Sequence, residues 1–169
     1  MTKKLLIVLS VLFFSLVLFF ITAGIFSSST YSGSVERIYP YSIDSVWKIA
    51  THRSLQTQWR KDIVKQNNYS SGWVEYITEK DSIEYKIIRE VPTSQFMFSS
   101  RSKKFELIAA FNIRLFKLNE NSTKVIIYES SKNYNRYASI YFLLTSKEMD
   151  ILIEHQNITD GLEFFNEKH

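Results

Sequence analysis

The hydrophobic pattern divides the chain in two. From Leu5 to Phe26 the run LLIVLSVLFFSLVLFFITAGIF carries no charge and is interrupted only by Ser10, Ser15, Thr22, Ala23 and Gly24. As a helix rising about 1.5 Å per residue it reaches about 33 Å, enough for a bilayer core of about 30 Å. Beyond Ser27 the pattern changes to short alternating stretches punctuated by turn residues. Ser27 to Ser34 (SSSTYSGS) reads as a polar linker. Val35 to Tyr41 reads as a first strand. Ser42 opens a helix as its N-cap, with Asp44 in the first turn and Val46, Trp47 and Ala50 at helical spacing. Ser54 opens a second, short helix bearing Leu55 and Trp59.

Antiparallel strands fill Ile63 to about Tyr128. Turn chemistry separates them at Asn67–Gly72, Lys80–Ser82, Pro92–Ser94 and Asn119–Ser122. Ile83, Tyr85 and Ile87 point one way, and Glu84, Lys86 and Glu90 the other. The clearest alternation is Phe105, Leu107, Ala109, Phe111, Ile113 and Leu115, six apolar residues at period two. Their alternates include Glu106, Asn112 and Arg114, so this strand has one buried and one wet face. Thr145-Ser146-Lys147-Glu148 is a capping box for a terminal helix. Ile151, Ile158, Leu162 and Phe165 form its apolar stripe, interrupted by His155. Gly161 sits inside this helix at a cost of about 1 kcal/mol relative to Ala. Either it is an incidental weak spot, or a side chain there would collide with a strand or a ligand.

The apolar run is longer than the roughly 7–15 residues of a signal-peptide core, and bulky Ile21, Ile25 and Phe26 crowd its far end. Length and flanks favour an uncleaved anchor; a cleavable signal, with Thr22-Ala23-Gly24 as a weak site, is the alternative. Lys3 and Lys4 precede the run, and the first basic residue after it is Arg37. That asymmetry puts the N-terminus in the cytoplasm and the following domain outside it. The organisation is thus a short cytoplasmic N-terminus (1–4), a transmembrane helix (5–26), a linker (27–34) and one domain (35–169).

Charge and composition narrow the function. The chain has 21 Lys and Arg against 17 Asp and Glu, and Lys3 and Lys4 lie before the anchor. The domain is near neutral, with no basic stripe of the kind nucleic acid requires. No cysteine is present, so packing alone holds the fold. Aromatic residues make up 15% of the chain, enough for a sizeable core, a lined cavity, or both.

No motif announces catalysis. His52, His155 and His169 are far apart, without ligand-spaced partners, and four glycines leave no phosphate cradle. No cofactor, metal or catalytic residue is implied. Two charged residues stand on apolar faces by register: Arg89 follows Ile83, Tyr85 and Ile87, and Glu129 follows Val125 and Ile127. Either meets a ligand or a buried partner, or reaches water at a strand end. His155 faces a cavity or, more simply, the core.

The segment Tyr41-Ser42-Ile43-Asp44-Ser45-Val46-Trp47, the aromatic Trp59, the block Ile83–Phe98 with Pro92 at its turn, and Thr123–Tyr128 leading to a long terminal helix resemble the SRPBCC superfamily. This is the START/Bet v 1-like helix-grip fold, and the resemblance runs from about Ser34 to the C-terminus. It implies an α+β domain whose curved antiparallel sheet grips the terminal helix over an apolar cavity. Relatives of that kind bind lipids, sterols, polyketides or hormones, and some are cyclases; the superfamily has no universal catalytic residues to carry over. The expected lining is Tyr85, Ile87, Arg89, Phe105, Leu107, Phe111, Ile113, Glu129, His155, Ile158 and Leu162. The expected function is membrane-anchored, non-catalytic binding of a hydrophobic small molecule or lipid. The alternatives are an interaction or stress-response module with a packed interior, and an enzyme of the cyclase/dehydrase type using Tyr85, Arg89 or Glu129.

Overall fold

The computed structural model describes residues 3–26, 30–104, 106–134 and 148–167. The apolar run forms one helix, α1 (Lys3–Phe26), with its large side chains exposed from Leu5 to Ile21. Among the described residues one helix, over Lys3–Thr22, is long and apolar enough to cross a membrane. Its polar interruption at Thr22 satisfies itself, the hydroxyl donating to the Leu18 carbonyl at 2.9 Å.

The domain follows as β1 (Thr30–Tyr39), α2 (Ile43–Thr51), a 3₁₀ turn (Arg53–Gln58), β2 (Lys65–Tyr69), β3 (Gly72–Tyr76), β4 (Ser82–Val91), β5 (Gln95–Ser102), β6 (Leu107–Asn119), β7 (Ser122–Asn133) and α3 (Met149–Asn166). The strands make one seven-stranded sheet in the order β1-β7-β6-β5-β4-β3-β2. Every neighbouring pair is antiparallel. The chain meanders from β2 to β7, and β1 closes on the far side of β7. α3 lies against β1, β7 and α2.

Local chemistry explains the elements. Ser42 caps α2, its hydroxyl accepting from the Ser45 N–H at 3.3 Å. Val46, Trp47, Ile49 and Ala50 form the buried face of that helix. The alternation along β6 holds, with Ala109, Phe111, Ile113 and Leu115 buried. Phe105 lies outside the described residues, as do Thr145, Ser146 and Lys147 of the expected capping box. On α3 the stripe of Ile151, Ile158 and Leu162 is buried, and so are His155 and Glu154.

Three differences from the sequence reading have physical causes. Strand β1 begins at Thr30, inside the segment expected to be a linker. Backbone pairing decides this: Thr30 to Ser34 continue the ladder opposite Tyr128 to Lys132, whatever their side chains contribute. Second, β4 carries a bulge between Ile87 and Arg89. The extra residue flips the register, so Arg89 pairs with Met97 rather than with the buried Phe96 or Phe98 and stands exposed on the outer face. The expectation of Arg89 on the apolar face is therefore corrected. Third, the buried residues of the 3₁₀ turn are Arg53 and Gln56, whereas Leu55 is half-buried.

Gly161 marks where α3 crosses the helical layer. A Cβ there would stand 2.6 Å from Ile49 Cγ2 and 2.8 Å from Trp59 Cζ2. Both obstacles are stiff: a methyl borne on a branched Cβ and an indole ring. The collision is with α2 and Trp59, not with a strand or a ligand. Gly161→Ala gains about 1 kcal/mol of helix propensity and loses more to overpacking. It is expected to destabilise the domain by about 1–2 kcal/mol in denaturant unfolding; a stabilised variant would show that the approach is not tight.

Candidate functional site

The concave face of the sheet, beneath α3, is the candidate site. One half is an aromatic wall. Register sets Trp73 opposite Tyr85 and Phe98 opposite Phe111. The first pair stacks at 4.6 Å between centroids and 4° between planes, the second at 5.1 Å and 18°. Phe98 joins the two, 5.6 Å from Trp73 and 6.0 Å from Tyr85, and Phe96 lies 5.4 Å from it. Such pairs each contribute about 0.5–1.5 kcal/mol beyond the area they bury.

A cation lies on this wall. The Arg53 guanidinium stands 4.7 Å over the Phe98 ring and 5.4 Å over Trp73. Its Nη1 donates to Glu154 Oε2 of α3 at 3.0 Å, both side chains being almost fully buried. Beside it, Trp73 Nε1 donates to Glu75 Oε1 at 2.9 Å, and Arg60 Nη1 donates to Glu75 Oε2 at 3.2 Å. Arg60 also grips Asp62 through two N–H groups, at 3.2 and 2.6 Å, which holds that carboxyl below its usual range. Burial, with Glu75 and Glu154 nearby, pushes the Tyr85 phenol well above its ordinary value. Tyr85 is thus held in its neutral form.

His155 fastens α3 to β1. Its Nε2 lies 3.1 Å from the Val35 carbonyl, which can only accept, so this nitrogen carries the proton. Nδ1 then accepts from the Tyr39 hydroxyl at 2.8 Å. Burial depresses the imidazole pKa, consistent with a neutral ring. With both nitrogens engaged, His155 is a fastening of the core.

The other half of the face is polar and lies at the end where β1 begins. Along the inner row of β7, Thr123, Val125 and Ile127 give way to Glu129, Ser131 and Asn133, all buried. Glu129 is 3% exposed, and its Oε2 has no hydrogen-bond partner. Burial raises its pKa to about 7, against a hydrogen bond from Ser131 that lowers it; the Asp150 charge adds to the rise. Gly33 is the cross-strand neighbour of Glu129. The Tyr31 hydroxyl lies over this glycine, 2.0 Å from where a Cβ would be, and it too is buried without a partner.

The expected lining residues divide between core and groove. Tyr85, Phe111, Ile113, Glu129, His155, Ile158 and Leu162 are buried, and Ile87 and Leu107 are half-buried. Leu107 lines a cleft of about 470 Å³ at the β5–β6 turn with Arg101, Lys103 and Tyr134. Leu162 borders a smaller cleft of about 240 Å³ between α2 and α3. Arg53, Glu75, Glu154 and Tyr31 escaped sequence reading. Glu154 was accessible to it, since positions 151, 154, 155, 158 and 162 share one helical face. Glu75 lies two residues from Trp73, on the same strand face. Nothing in the sequence around Arg53 or Tyr31 signals burial.

The raised pKa of Glu129 makes stability depend on pH. Between about pH 4.5 and 7 the folded carboxyl binds a proton that the unfolded one releases. Its contribution is complete below the unfolded value and is lost as pH rises through about 7, by at most about 3 kcal/mol. Asp150, also raised by burial, acts in the same direction, and His155 in the opposite one. The expected signature is therefore a difference: from pH 5 to 8 the wild type loses more stability than Glu129→Gln. Parallel pH curves in denaturant unfolding would exclude it.

No family model matches this chain, and no curated protein does. Solved structures do. A conserved protein from Geobacillus kaustophilus is similar at a TM-score of 0.66 and 11% identity, over 82% of this chain and 96% of that one. The Zhui aromatase/cyclase from Streptomyces sp. R1128 is similar at 0.65 and 8%, over 79% and 94%. A norcoclaurine synthase of Thalictrum flavum, in complex with a transition-state analogue, is similar at 0.62 and 9%, over 81% and 96%. With its curved antiparallel sheet and C-terminal helix, the chain has the Bet v 1-like helix-grip fold that these structures share.

Proposed function

We propose that this protein is a single-pass membrane-anchored module that binds a hydrophobic small molecule or lipid between its curved sheet and α3. The observation that carries the reading is the composition of the concave face. One half of it is aromatic, and the other half is polar and holds two buried atoms without partners, Glu129 Oε2 and Tyr31 Oη. Ligand sites of this class combine a largely apolar lining with a few placed polar groups. The fold supports it too, since the norcoclaurine synthase with the same fold holds a small molecule.

The anchor gives the binding its setting. α1 ends at Phe26 and β1 begins at Thr30, so the chain between them spans no more than about 14 Å. The Tyr31 end of the sheet therefore stays close to the end of α1. With Lys3 and Lys4 holding the N-terminus in the cytoplasm, the domain sits at the outer surface of the membrane. Tethering keeps it at high local concentration beside any ligand that the bilayer dissolves.

A second reading, acid–base catalysis on a bound ligand, rests on Glu129. A carboxyl with a pKa of about 7 can exchange a proton at neutral pH. The other interior groups speak for binding: Arg53 is paired with Glu154, Arg60 with Glu75, and His155 with Tyr39 and Val35.

Native mass spectrometry of the delipidated full chain tests the proposal. Mixed with fluorescent fatty-alcohol, fatty-acid and sterol probes, the chain is expected to form a one-to-one adduct with at least one class. The adduct should weaken when Phe111→Ala or Ile158→Ala alters the floor or roof of the groove. No adduct with any probe would overturn the reading.

A further inference from the structure

The polar end of the concave face has a chemistry of its own. Three facts locate it. Glu129 on β7 and Gly33 on β1 are cross-strand partners, so side chains at the two positions would stand about 5 Å apart on the same face. Tyr31 folds along its own strand until its hydroxyl occupies the place of the missing side chain at Gly33. Glu129 therefore lies near enough for its charge to act on the Tyr31 hydroxyl, yet neither Glu129 Oε2 nor Tyr31 Oη has a hydrogen-bond partner, and both atoms are shut off from solvent. A buried polar atom without a partner is costly. Here two occur together, on the polar half of the concave face.

We infer that Glu129 and Tyr31 form the headgroup end of the ligand site and take the hydroxyl of a neutral amphiphile, such as a fatty alcohol or sterol. The inference rests on the hydrophobic-ligand reading above and deepens it. A hydroxyl placed between the two donates to the Glu129 carboxylate and accepts from the Tyr31 O–H, and so satisfies both atoms at once. It also suits either state of Glu129, because it can accept from the protonated carboxyl. An ammonium cannot accept, and it would be costly to desolvate in an apolar groove. A carboxylate or phosphate is opposed by charge: Glu129, Glu148 and Asp150 all act on the Tyr31 hydroxyl, and Glu154 lies close to Asp150. Gly33 belongs to the same design, because any side chain there would displace the Tyr31 hydroxyl.

The test uses the full chain in phosphatidylcholine nanodiscs at pH 8. The probes are a photoreactive diazirine fatty alcohol and the fatty acid of equal chain length, with cross-links mapped by peptide mass spectrometry. The alcohol is expected to label β6 and α3 about tenfold more than the acid. Glu129→Leu, which removes the carboxyl group, should lower alcohol labelling about tenfold. Tyr31→Phe should lower it a few-fold. Glu129→Gln keeps an acceptor oxygen, so it should retain alcohol labelling but discriminate less against the acid. If alcohol and acid label the groove equally, or if Glu129→Leu leaves alcohol labelling unchanged, the hydroxyl assignment fails while the groove reading stands. If neither probe labels the inner face, both fail.

Discussion

A sheet with one apolar face must be covered, and here α3 lies across it beside α2. α3 brings Ile151, Ile158 and Leu162 down on the face that β6 and β7 offer with Phe111, Ile113, Val125 and Ile127. Apolar contact alone would let such a helix slide. Two polar attachments give it a fixed seat: the His155–Tyr39 bond on the β1 side, and the Arg53–Glu154 pair over the aromatic wall. They sit one residue apart on α3 and reach to opposite flanks of the groove. The shape and chemistry of the space beneath the helix depend on that seating.

The two attachments differ in cost. His155 is neutral and uses both nitrogens, so its burial is largely compensated. Arg53 and Glu154 bring full charges into the interior, and the desolvation of such a pair can equal its Coulombic gain. The aromatic faces of Trp73, Phe96 and Phe98 offset part of that cost by cation–π attraction. Toward the tether the compensation runs out. There Glu129 Oε2 and the Tyr31 hydroxyl are buried with unused hydrogen-bonding capacity.

Most of the architecture was legible in the sequence because it follows from periodicity. The alternation of β6, the cap at Ser42 and the stripe of α3 each express a local rule, and the order of elements resembles the helix-grip fold. What was not legible depended on non-local pairing. β1 extends through SSSTYSGS because β7 supplies hydrogen-bond partners along its whole length, which residue chemistry does not reveal. Arg89 left the inner face through a bulge at Ile88 that period-two counting cannot detect. The site was half legible. Glu129 stood out as a charge in an apolar register, but Tyr31 lay in what read as a linker. Arg53 lay in a turn without periodicity, and its burial is dictated by Glu154, about a hundred positions away in the chain.

The central claim is that α3 is held over the groove by a buried charge pair, and a double-mutant cycle at Arg53 and Glu154 tests it most directly. Urea unfolding of the full chain in detergent gives the four stabilities. Arg53→Met and Glu154→Leu should each cost about 3–5 kcal/mol, because each strands a buried charge. The double variant should recover most of that loss, giving a coupling of several kcal/mol. Two small and additive effects would contradict the account, since they would mean that Arg53 and Glu154 do not meet beneath the helix.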